Sequence, residues 1–117
     1  MKIWMAALVS SLLAGPVCAA DEATPGFSGQ GEGGWEMLCH AGAGVDDQVV
    51  ILKPERSAYA NPKMTRASCS YKASAKGDLV VSVVAASTCP FKGASESACA
   101  VTVPKGRAGS FAFKVKR

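Results

Sequence analysis

Histidine is almost absent from this chain of 117 residues, with His40 the only one. A Ser-His-Asp arrangement would have to use it, and no serine lies in the sharp-turn context that a strained nucleophile needs. Cys-x-x-Cys pairs are missing too, which removes the usual frame of a zinc site. Beyond the first 20 residues no segment repeats apolar residues at a 3.6-residue period, so amphipathic helices are not expected. No apolar run reaches the roughly 20 residues that a membrane-spanning helix requires. Carboxylates are present as Glu36, Asp46, Asp47, Glu55, Asp78 and Glu96, but no spacing singles out two as an acid–base pair. These absences argue against an enzyme, and they name no catalytic residue, metal ligand or cofactor.

What is present begins with an export signal. Lys2, the apolar stretch Ile3–Ala14, Gly15-Pro16 and the small-residue exit Val17-Cys18-Ala19-Ala20 have the order of a cleaved leader, residues 1–20. Gly15, Pro16 and Val17 depart from the pattern that precedes a lipid-bearing cysteine, so Cys18 is expected to leave with the leader. Cleavage leaves no transmembrane anchor and one domain of about 97 residues. It also leaves four cysteines, Cys39, Cys69, Cys89 and Cys99. An even number in a short exported chain reads as a disulfide framework in an oxidising compartment, periplasmic or extracellular. Three pairings are possible. Cys39–Cys69 with Cys89–Cys99 is favoured, because the Gly/Ser/Pro-bearing stretch from 89 to 99 bends readily enough to bring its own ends together.

Charge is divided along the chain. Asp21–Leu52 holds six acids and no base, whereas Lys53–Arg117 holds twelve bases against Glu55, Asp78 and Glu96. Either the two halves neutralise one another when their strands pair, or a basic surface is left for an acidic partner. No nucleic-acid recognition motif accompanies the bases, and an exported protein meets little nucleic acid.

Two-residue alternation dominates the remainder. Asp21–Gly34 is Gly-rich and acidic with Phe27 its single aromatic; it reads as a flexible lead, residues 21–34, and deleting Asp21–Gly33 should leave the fold intact. From Trp35 the β-domain, residues 35–117, begins. Trp35, Met37 and Cys39 alternate with Glu36, Leu38 and His40. Val49–Leu52 is an unbroken apolar run, read as an interior strand covered on both sides and ended by Pro54. Ala67, Cys69 and Tyr71 alternate with polar neighbours, and Leu79–Ala86 has the strongest strand tendency, which makes it central. Cys99, Val101 and Val103, then Phe111, Phe113 and Val115, read as a closing hairpin around Pro104–Gly109. The expected architecture is all-β: a small antiparallel sandwich or barrel of about six strands, braced by disulfides.

Two loops are the candidate binding elements. Lys53–Arg66 combines Tyr59 with Lys53, Arg56, Lys63 and Arg66, residue types enriched at interface hot spots. The clipped loop Cys89–Cys99 would present Phe91 and Lys92, and pre-closure lowers the ordering cost of binding. A third cluster, Trp35, Met37, Cys39 and His40 with Met64 elsewhere, offers soft ligands for Cu(I). On a strand, however, Met37 and His40 point to opposite faces. The expectation is therefore an exported, non-enzymatic binding or inhibitor protein that recognises a protein or an acidic envelope polymer through basic loops. A secreted effector or cationic toxin is the alternative, and a periplasmic copper carrier a minor one.

Overall fold

The computed structural model describes residues 23–93 and 98–116; the leader, the first two residues of the lead and the middle of the 89–99 loop lie outside them. The described chain is all-β, with eight strands: β1 Gly26–Gly31, β2 Glu36–Ala43, β3 Asp46–Leu52, β4 Ala58–Ala60, β5 Arg66–Lys72, β6 Leu79–Val84, β7 Ala100–Val103 and β8 Ala108–Lys114. They form two antiparallel four-stranded sheets, ordered β4-β1-β6-β7 and β3-β2-β5-β8. No described helix is long and apolar enough to cross a membrane.

Alternation places the core. Met37, Cys39 and Ala41 on β2, Val50 and Leu52 on β3, Ala67 and Cys69 on β5, and Phe111 and Phe113 on β8 are buried. Opposite them lie Phe27 on β1 and Leu79, Val81 and Val83 on β6, also buried. Phe27 and Phe113 meet edge to face across the interior, with ring centroids 6.4 Å apart. Both favoured disulfides are present, Cys39–Cys69 and Cys89–Cys99. Cys39 and Cys69 stand directly opposite each other on the neighbouring strands β2 and β5, with Cα atoms 4.0 Å apart.

Four expectations are corrected. The Gly-rich lead contains β1, which lies inside its sheet and pairs with β4 on one side and β6 on the other. Its glycines serve close packing, not looseness. A Cβ on Gly29 would fall 2.8 Å from the Trp35 ring, so the indole packs directly on the backbone of β1. The apolar run Val49–Leu52 belongs to an edge strand covered on one face only, with Val49 and Ile51 exposed. The expected closing hairpin is split, since β7 pairs with β6 and β8 with β5, so residues 104–107 carry the chain between sheets. The strands number eight, not about six, and one of the extra strands, Ala58–Ala60, arises within the Lys53–Arg66 connection. Leu79–Val84 is central as expected, lying between β1 and β7.

Candidate binding face

The outer face of β3-β2-β5-β8 follows from the same alternation that fills the core. Every second residue points away from the interior, and strand register aligns these residues in rows across the sheet. One row reads Ile51, Leu38, Ser70, Ser110; the next reads Val49, His40, Ser68, Ala112. Leu38, Val49 and Ile51 are 42%, 59% and 47% exposed, so three large aliphatic side chains surround the exposed His40 on the β2–β3 half. In these two rows only small side chains cover the β5–β8 half.

A third row carries charge: Asp47, Gly42, Arg66, Lys114. Arg66 Nη2 lies 2.9 Å from Asp47 Oδ1. Gly42 sits between them, and a Cβ there would fall 2.5 Å from the Arg66 guanidinium carbon. Glycine thus lets the arginine lie flat across β2 to reach β3. Both partners are at least half exposed, so this pair contributes at most about 1 kcal/mol. The acidic and basic halves of the chain do meet here. Apart from this contact, the described bases on the β5–β8 side (Lys72, Arg107, Lys114 and Lys116) form no ion pair with a described carboxylate.

The face is hollowed along β8. A groove of about 630 Å³ is lined by His40, Arg66, Ser68, Ala112 and Lys114, and segment 87–90 forms part of its lining. A shallower depression of about 460 Å³ adjoins it, sharing His40, Ser68 and Ala112 and adding Leu38, Ser70 and Ser110. Segment 85–87 is seated by antiparallel bonds to the end of β8, from Lys116 N to Ala85 O (2.7 Å) and from Ser87 N to Lys114 O (2.8 Å). Ala85 turns the chain there with φ of 67°, in the left-handed region.

The residues picked from sequence divide among different places. Lys53 and Arg56 close a tight turn, each backbone N–H donating to the other's carbonyl. Tyr59 is half-buried, its ring 5.4 Å from Phe27, and its hydroxyl donates to Gln48 Oε1 and accepts from Asn61 Nδ2. Lys63 and Lys92 are exposed. Phe91 is not displayed on its loop. It is 8% exposed and packs edge to face on Phe111 with centroids 5.1 Å apart, so the ring is buried beside β8. Of the whole set only Arg66 lines the groove. The soft-ligand cluster is dispersed: Met37 lies inside, His40 outside, and Cys39 is bonded to Cys69. Sequence reasoning passed over the face itself. Its signal was Leu38 on the polar side of an alternating strand, an apolar residue that core packing does not use.

Comparison with known proteins finds no matching family, curated protein or solved structure. The functional reading therefore rests on the geometry of this chain.

Proposed function

We propose that the chain is an exported, non-enzymatic binding protein that holds a partner protein against the outer face of β3-β2-β5-β8. One observation carries this reading: Leu38, Val49 and Ile51 form a contiguous exposed patch around His40, continuous with a groove and bounded by charges. Singly exposed aliphatic residues are ordinary, whereas a contiguous patch with a polar rim marks an interaction surface. Two disulfides fit an oxidising compartment, which supports export. The bases beside the groove, unpaired among the described residues, favour an acidic partner.

The reading is tested by capture from the envelope and secreted fractions of the source organism. Immobilised wild-type protein should retain one protein in stoichiometric amount, and a Leu38→Asp/Val49→Asp variant with an unchanged melting temperature should not. Equal retention by both, or by neither, overturns it. Salt-sensitive leakage from anionic vesicles would instead support a cationic effector.

A further inference from the structure

The basic margin of the binding face is also a sheet edge, with no full neighbouring strand among the described residues. In an antiparallel ladder, backbone groups alternate between the two neighbours of a strand. The Lys114 carbonyl points away from β5, since it accepts from Ser87. Alternation sends the N–H and C=O groups of Ala112, Ser110 and Ala108 in the same direction. Segment 85–87 is hydrogen-bonded beside β8 at residues 114–116; beyond it residues 88–90 line the groove and Phe91 packs on Phe111, with no hydrogen bond to β8 among the described residues. Among the described residues, no hydrogen bond reaches this side of Ala112, Ser110 or Ala108.

We infer that β8 accepts an extended, acidic segment of a partner protein as a fifth strand, seated over Ala108–Ala112 in line with segment 85–87. This rests on the binding-face reading and specifies how the partner is held. Strand addition supplies affinity through the main chain and specificity through alternate side chains. The side chains at the edge are small (Ala108, Ser110 and Ala112), so a neighbouring backbone can approach. Natural edges are usually guarded by inward-pointing charge, proline or a bulge, and Ala108–Lys114 has none of these, its one charge standing on the outer face at the far end. Charge selects the occupant. Arg107 and Lys72 stand at one end of this edge and Lys114, Lys116 and Arg66 at the other, while the acids of the sheet lie away from it, Asp46 and Asp47 on the far edge β3 and Glu36 on β2 opposite Lys72. Alternating acidic side chains would face these bases on the outer side, with apolar ones turned toward Phe91 and Phe111. The edge from Ala108 to Ala112 is about 13 Å long, room for a segment of four or five residues.

The probe is a capped six-residue peptide of alternating Glu and Val, with its Lys/Val counterpart as control. In titrations of the labelled protein followed by NMR, the acidic peptide should slow amide exchange of Ser110 and Ala112 at least tenfold, and the basic peptide should not bind. Ser110→Pro and Ala112→Pro each remove one outward N–H without touching the ladder to β5, a placement that edge strands tolerate. Each should weaken the acidic peptide at least tenfold while the melting temperature holds. Undiminished binding by both variants overturns strand addition, as does absence of binding at about 1 mM peptide. Shifts confined to Leu38, His40 and Val49 without amide protection also overturn it, but leave the binding face standing. Concentration-dependent self-association that protects the same amides overturns the choice of a foreign segment in favour of a second copy.

Discussion

In the sheet β3-β2-β5-β8 the two central strands are joined covalently through Cys39 and Cys69, whereas the central pair β1–β6 of the other sheet is held by its ladder and by apolar side chains alone. The second disulfide, Cys89–Cys99, ties a loop to the margin of the β4-β1-β6-β7 sheet without crossing its centre. Each sheet therefore depends on something different. The unlinked sheet relies on Phe27, Leu79, Val81 and Val83, all buried, and has little tolerance for change there. The linked sheet has part of its cohesion supplied by sulfur, which leaves its outer side chains free to be chosen for contact with another molecule.

Damage to the unlinked sheet should have the largest effect. Val81 is fully buried on β6 between β1 and β7, and Val81→Asp would place an unpaired charge there. The loss should exceed about 4–5 kcal/mol, a large part of the roughly 5–15 kcal/mol that stabilises a small domain. Circular dichroism should then show no cooperative melting. Deleting residues 23–31 should have the same result, because it removes β1 from between β4 and β6. A normal melting curve for either variant would mean that this sheet does not organise the fold.

Breaking the covalent tie should come next. A chain-entropy argument for sulfurs 30 residues apart gives about 3.7 kcal/mol for Cys39–Cys69, and for 10 residues about 2.7 kcal/mol for Cys89–Cys99. Paired Cys→Ala variants should fall in that order in urea denaturation. The Cys89/Cys99 variant should also loosen Phe91 from Phe111, which near-ultraviolet circular dichroism would register. A reversed order would show that the margin, not the sheet centre, limits stability.

The sequence made the all-β class, the central position of Leu79–Val84 and the cysteine pairing legible, because alternation and loop length are local properties. It failed where a neighbour decides. Gly26, Gly29 and Gly31 look like linker residues until Tyr59, Trp35 and Asp78 are seen packed against their backbone. Val49–Leu52 looks doubly covered, since nothing in a four-residue apolar run says that one face is left bare. Phe91 looks displayed because its loop composition is polar, although the vacancy that draws it inward belongs to β8, twenty residues further on. The candidate binding face was hidden for the same reason: its residues come from four strands, and only register brings Leu38 beside Ile51 and His40 beside Ser68.

The smallest effect on stability should come from the surface with the largest proposed role, and two adjacent residues of β2 make the contrast sharp. Met37 is fully buried, so Met37→Ala should cost about 2–5 kcal/mol through lost transfer energy and the cavity left behind. Leu38 faces the other way and is 42% exposed, so Leu38→Ala should stay within about 0.5 kcal/mol in the same denaturation assay. If Leu38→Ala instead destabilises as much as Met37→Ala, that side chain supports the fold and the patch loses its functional reading. If the protein melts unchanged but no longer retains its partner, an apolar residue has been kept on the surface for contact alone, which is the division of labour between the two faces of the linked sheet.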